Sequence, residues 1–165
     1  MDLSPAVFRL LAPLPLAAVE GPARWALRAV LDRHPALLDR LGAHGEKRFA
    51  FLPDDLPFSF VVTPARRGLS VKRRGIARRA DVEISGPFFL LLALLEGRID
   101  GDAVFFSRQI TVAGDTEAIV ALRNAMDDST LDLPTDLAAH AGPFAPLVRH
   151  GASAIRRRVL TPETR

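Results

Sequence analysis

Apolar residues recur along this chain with three different periods, and each period predicts a different element. Residues 3–20 are proline-broken but keep a helical rhythm: Leu3, Val7, Leu10 and Leu11 share one side, and Ser4-Pro5 supplies an N-cap and a first helical position. Gly21-Pro22 is expected to open a second helix running to about Arg33, with Trp25, Leu27, Val30 and Leu31 apolar and Arg24, Arg28 and Asp32 forming a charged outer stripe. Pro35 restarts a short helix through Leu41, which Gly42 ends.

The period then drops to two. Phe49 and Phe51 alternate with Arg48 and Ala50; Phe58, Phe60 and Val62 alternate with Ser59 and Val61; Leu69 and Val71, then Val82 and Ile84, continue the pattern. Four strands joined by short proline- or glycine-containing turns predict an antiparallel meander with one phenylalanine-rich face buried.

After Gly86-Pro87 the alternation gives way to the unbroken run Phe88–Leu95, which Gly97 closes. A helix apolar on every side is either enclosed or turns one side toward something other than water. Asp102 to Phe106 predicts a short helical turn, and Gln109 to Ala113 a fifth strand with Ile110 and Val112 on one face. Gly114-Asp115 breaks that strand, and Asp115 caps a helix that turns Ile119, Leu122 and Met126 inward, with Glu117 near its positive end. Asp127-Asp128-Ser129 begins a polar connector that contains Pro134. The tail carries Leu147, Gly151, Ala154, Ile155 and Val159 at helical spacing and ends on Arg156, Arg157 and Arg158. No internal repeat is present. The chain therefore divides into an N-terminal helical arm (1–44), a core (45–127), and a connector with a helix (128–165).

Composition narrows what this pattern can do. A chain of 165 residues, 48% hydrophobic, can bury a full core without staples. It has no cysteine, which removes disulfides, thiolate catalysis and cysteine-held metals, and which fits a reducing cytoplasm. It has no tyrosine either, so no phenol serves as acid or base. Net charge is only +3, yet the pI is ≈ 10.4, because the cations are mostly arginine. Spanning a bilayer takes roughly 20 apolar residues in a row, and the run after Pro87 is far shorter. Asp2 stands where a signal peptide is basic, and Pro5, Pro13 and Pro15 interrupt the apolar N-terminus, so the expectation is an unexported, cytoplasmic protein.

A search for catalytic chemistry finds none. His34, His44, His140 and His150 make no ligand pair at helical spacing, so no metal is expected. Ser107, beside Arg108, has no G-x-S-x-G frame around it. Asp100 and Asp102, like Asp127 and Asp128, read as loop acids rather than a split pair across a cleft. No phosphate-cradling glycine loop occurs. The expectation is a protein without catalytic residues and without a cofactor.

The cations cluster at Arg66, Arg67, Lys72, Arg73, Arg74, Arg78 and Arg79, over one expected hairpin. Two readings stand level. One is a solvated strand edge whose charges discourage edge-to-edge pairing. The other is contact with an anionic membrane surface, at roughly 1 kcal/mol per cation. Nucleic acid ranks below both, because no stacking aromatics interleave with these cations.

The order of elements, with Gly97, Asp100, Ala103, Gly114 and Asp115 at matching positions after the apolar helix, resembles the sterol-carrier-protein-2 lipid-binding family over about residues 45–127. Ser107 departs from it, standing where that family often has glycine. The segment from Phe105 to Asp128, the helical arm and the tail look like the UbiT-type branch, accessory factors of oxygen-independent ubiquinone biosynthesis.

The resemblance implies an α+β fold, with a curved, mostly antiparallel five-stranded sheet covered on one face by helices and an apolar tunnel between. It implies a non-catalytic carrier of prenylated quinone precursors, peripheral on the inner membrane. It also implies partnership with the peptidase-like iron–sulfur hydroxylase proteins of that pathway, which would hold the cluster themselves.

The residues agree with such a role in their physics. An isoprenoid tail needs no hydrogen bonds and gains roughly 25 cal/mol for each Å² removed from water. A cavity lined by Phe58, Phe60, Val82, Ile84, Phe89, Leu92, Phe105, Ile110 and Val112 would supply that burial; the plainer reading is that these side chains fill one another's space as a solid core. The alternative function is a nonenzymatic interaction module that docks through the apolar helix and the arginine-rich edge.

Overall fold

The computed structural model describes residues 11–75, 79–96, 109–127 and 131–141, together with Arg9 and Ser129. The architecture is α+β. Helices α1 (Leu16–Arg33) and α2 (Ala36–Leu41) lead through a 3-10 turn, Gly42–Glu46, into β1 (Phe49–Pro53). Strands β2 (Phe58–Thr63), β3 (Gly68–Arg73) and β4 (Val82–Gly86) follow, then α3 (Phe88–Leu95), β5 (Thr111–Gly114), α4 (Thr116–Asp127) and α5 (Leu133–His140).

The five strands form one mixed sheet in the order β3-β2-β1-β4-β5. The hairpin β1–β2–β3 is antiparallel, as is β4–β5, but β4 lies parallel to β1 with Phe49 opposite Val82 and Phe51 opposite Ile84. This corrects the expected four-strand meander. Alternation assigns each side chain a face but says nothing about which strand is its neighbour, and the chain crosses over after β3 instead of turning back beside it.

The register gathers the alternating residues as expected. Val82, Phe49, Val62 and Leu69 stand in one row across the sheet, and Ile84, Phe51, Phe60 and Val71 in the next. One face therefore carries four phenylalanines, and the helices cover it.

Two further expectations change. The first concerns α1, which begins at Leu16 and carries Pro22 in its interior, so Gly21-Pro22 does not open it. Leu16, Val19, Ala23 and Leu27 keep a single stripe packed on the sheet across the proline, and this packing outweighs the local preference to break. The second concerns residues 133–140: their polarity predicts connector, but they form α5. Asp132 accepts a hydrogen bond from the Thr135 N–H at 3.4 Å, and Pro134 stands in the first turn. Buried Asp136 fixes α5 to the end of α1 through Arg33 at 2.8 Å and His34 at 2.9 Å.

The other elements follow their sequence signals. Gly42 takes the positive φ of 49° that ends α2. The Asp115 carboxylate accepts the Ala118 N–H at 2.9 Å and caps α4. The expected turn at Asp102 to Phe106 and the expected tail helix lie outside the described residues.

Candidate apolar site

The apolar helix α3 is held at both ends by carboxylate hydrogen bonds, one from the distant Asp55 and one from its own capping residue Glu96. Pro87 contributes no side-chain cap; instead Asp55, buried in the β1–β2 turn, accepts the Phe88 N–H at 2.9 Å. A negative charge there meets the positive end of the helix. At the other end Glu96 accepts the Leu133 N–H at 3.0 Å, tying α3 to the start of α5.

Thus positioned, α3 buries Leu91 and Ala93 and packs Leu90, Leu94 and Leu95 against the core. Phe88, Phe89 and Leu92 belong to neither apolar cluster formed by the described residues. They remain half-buried, the two phenyl rings tilted against each other with centroids 5.5 Å apart.

Beneath the helices the core divides in two. The larger cluster joins Phe49, Val82, Ile84, Leu91 and Ile110 to α2 and α4, with Val112 half-buried at its side. The smaller joins Phe58, Val62, Leu69 and Val71, covered by α1. Phe51 touches both.

Along the row Ile84–Phe51–Phe60–Val71 the outer residues are 5% and 2% exposed, while Phe51 and Phe60 in the middle are only half-buried. In a solid core the centre of a sheet is its driest part. Here Phe51 and Phe60, opposite each other in register, are less buried than the residues at either end of their row, and they fall where the cluster under α1 meets the cluster under α2, α3 and α4.

The structure thus divides the expected lining. Phe58 and Phe60 belong to the cluster under α1, and Val82, Ile84, Ile110 and Val112 to the other. Phe89 and Leu92 are on α3, and Phe105 lies outside the described residues. Phe51 was missed: alternation placed it on the right face, but nothing in the sequence marks it as less covered than Phe49 two residues earlier.

A separate open cleft of about 450 Å³ lies between α2 and the start of α4, lined by Arg40, His44, Thr116, Glu117, Val120, Ala121 and Asn124. It includes none of the expected lining residues.

The cations of the β2–β3 hairpin are mostly engaged. Arg66 meets Glu46 at 2.9 Å, Arg67 pairs with Asp32, and Arg74 donates to the Asp54 backbone carbonyl. Arg73 turns inward, its guanidinium 5.2 Å above the Phe58 ring and donating to the carbonyls of Ala12 at 2.5 Å and Leu14 at 2.6 Å. Lys72 and Arg79 are exposed, and no ion pair to either occurs among the described residues; Arg78 lies outside them.

Among the described residues, the Asp115 carboxyl is perturbed. The Lys47 ammonium donates to Asp115 and, with the Ala118 N–H, holds that carboxyl below the usual carboxylate range. No group of three or more metal-ligating side chains occurs among the described residues, and none of their helices is long and apolar enough to cross a membrane.

Comparison with known proteins adds one decisive match. The sequence model of the SCP-2 sterol transfer family fits residues 27–127. No curated protein matches the chain. Among solved structures, the chain is similar to the UbiJ-SCP2 ubiquinone synthesis protein, at 19% identity and a TM-score of 0.46, over 77% of this chain and 93% of that one. It is similar to the sterol carrier protein 2 of Aedes aegypti in complex with palmitate, a C16 fatty acid, at 13% identity and 0.48, over 65% and 97%. It is also similar to the sec-alkylsulfatase Pisa1 from Pseudomonas sp., at 15% identity and 0.44, over 55% of this chain but only 14% of that enzyme.

Proposed function

Because the chain belongs to the SCP-2 sterol transfer family, we propose that it is a non-catalytic carrier of a long apolar lipid, seated against the phenylalanine face where the two apolar clusters meet. The observation that carries this reading is the half-burial of Phe51 and Phe60 at the middle of the sheet, flanked by drier residues on both sides. An alkyl or isoprenoid chain laid over these rings loses no hydrogen bonds and gains burial in proportion to its length. The half-buried Phe88, Phe89 and Leu92 on α3 give such a chain a second apolar wall.

The finer reading is that the lipid is a prenylated quinone precursor and that the protein serves oxygen-independent ubiquinone biosynthesis. Its support is the likeness of the segment from Phe105 to Asp128 to the accessory factors of that pathway. The partners would be the peptidase-like iron–sulfur hydroxylases, with Lys72 and Arg79 free to meet an anionic membrane surface.

The test is extraction of the purified protein with organic solvent after expression in a quinone-producing host, followed by mass spectrometry of the extract. A polyprenylated ring compound at near-stoichiometric yield is expected. Recovery of some other long-chain lipid keeps the carrier and removes the quinone. Recovery of no lipid removes both.

A further inference from the structure

The first half of α1 is built as a detachable cover, and we propose that residues 11–20 form a lid that opens about Gly21-Pro22 to uncover Phe51 and Phe60. The idea rests on the carrier reading for its purpose, though the motion can be measured without any lipid.

Three observations carry it. The helix is continuous but has its weakest backbone point where a hinge is needed. Pro22 has no N–H to give to the Ala18 carbonyl, and its ring crowds that carbonyl. Gly21 is exposed, and a side chain built on it would meet nothing within 4 Å; the joint is spanned by the solvent-facing Glu20–Arg24 ion pair at 2.5 Å, a contact that water and salt weaken.

The two halves of the helix are also unequally buried. Beyond the hinge, Ala29 and Leu31 are 1% and 4% exposed. Before it, Leu11, Leu16 and Val19 pack on the smaller cluster, yet no residue from 11 to 20 is fully buried.

Finally, the polar part of the fastening falls on one strand. Arg73 donates to the carbonyls of Ala12 and Leu14, and the Glu20 carboxylate accepts the Val71 N–H at 2.9 Å. Such bonds exchange with water at small net cost, whereas apolar contacts do not. On the body side of the hinge Arg24 donates to the Leu69 carbonyl at 2.9 Å, so β3 keeps one attachment when the lid lifts. The lid lies ahead of residue 27, where the family match begins.

The absence of cysteine allows a direct test. Val62, under the lid, and Met126, in the larger cluster, are 9% and 6% exposed. In separate Val62→Cys and Met126→Cys proteins, maleimide labelling in native buffer is expected to be at least about tenfold faster at position 62, because local opening is more frequent than global unfolding. Adding Gly21→Ala with Pro22→Ala is expected to slow labelling at position 62 by about tenfold, since both changes repair the helix. Arg73→Ala is expected to speed it.

Amide hydrogen exchange on the unmodified protein checks the same contrast, with 16–20 exchanging faster than 28–33. Equal labelling rates at 62 and 126, or a hinge repair that leaves the rate at 62 unchanged, overturns the lid. An empty solvent extract from a protein whose labelling contrast persists removes the lipid and keeps the lid; a lipid-loaded protein without the contrast removes the lid alone.

Discussion

The two apolar clusters share one face of the sheet but are closed by different forces. Over β1, β4 and β5 the closure is apolar: Phe49, Val82, Ala118 and Ala125 are 0% exposed, and α2, α3 and α4 all contribute side chains. Over β2 and β3 the cover is α1, whose first half buries nothing completely and is fastened by Arg73 and Glu20 to carbonyl and amide groups. Apolar contact is lost in proportion to area and has no substitute in water. A hydrogen bond to an exposed strand edge is replaced by water at a net cost of about 1 kcal/mol. One half of the sheet is therefore sealed and the other openable, and the half-buried pair Phe51–Phe60 lies at the boundary between them.

The sharpest way to break this contrast is truncation on each side of the boundary. Phe49→Ala empties the centre of the sealed half and is expected to cost about 3–5 kcal/mol in urea unfolding. Phe60→Ala removes the same ring from a position already partly open and is expected to cost about 1–2 kcal/mol, because less burial is lost. Equal losses would mean that the sheet centre is uniformly packed.

Glycines provide the next comparison. Gly114 has φ of 108°, and a β-carbon there would lie 2.2 Å from the Asp81 carbonyl oxygen, where β5 closes on β4. Gly114→Ala is expected to cost about 2–4 kcal/mol and to release the β4 amides in hydrogen exchange. Gly21→Ala faces open space inside a helix and is expected to stabilise by about 1 kcal/mol. Opposite signs for one chemical change would locate the strain in the sealed half and the slack in the lid.

A smaller effect is expected at the anchor of α3. Asp55→Ala leaves the Phe88 N–H without its acceptor and should cost about 1–2 kcal/mol. It should also loosen the α3 wall while leaving labelling under the lid unchanged, which separates that wall from the lid.

The sequence makes the phenylalanine face legible because alternation is a strong local signal: Phe49, Phe51, Phe58, Phe60, Val82 and Ile84 all fall where period two places them. Neighbour order is not local, and so the parallel pairing of β4 with β1 was invisible. The start of α1 was misplaced because a proline was weighed by its backbone penalty alone, when Leu16 and Val19 gain enough on the sheet to override it. The signals for α5 were present in Asp132, Pro134 and Asp136, but their polarity suggested a connector. As for the site, face is legible and depth is not. Periodicity cannot tell Phe49 from Phe51, and the difference between them is that Phe49 lies inside one cluster while Phe51 sits at the junction of two.

The smallest expected effect lies in the sealed half, at the polar clasp between Lys47 and Asp115. The Asp115 carboxyl is held below the usual range first by the Lys47 hydrogen bond and next by the Ala118 N–H. The unfolded chain takes up that proton more readily than the folded one. The clasp therefore contributes fully above the ordinary carboxylate range, and its contribution is lost as the pH falls through the lowered folded value. Asp115→Asn keeps a capping side chain but removes the charge, so the urea midpoints of the two proteins should differ most near neutral pH and converge in acid. Added salt should narrow the gap as well, because both partners are about a third exposed. A difference that stays constant with pH would assign Asp115 to packing rather than charge. The sealed half would then have no titrating fastener at this junction, and acid would distinguish it from the lid even less than salt does.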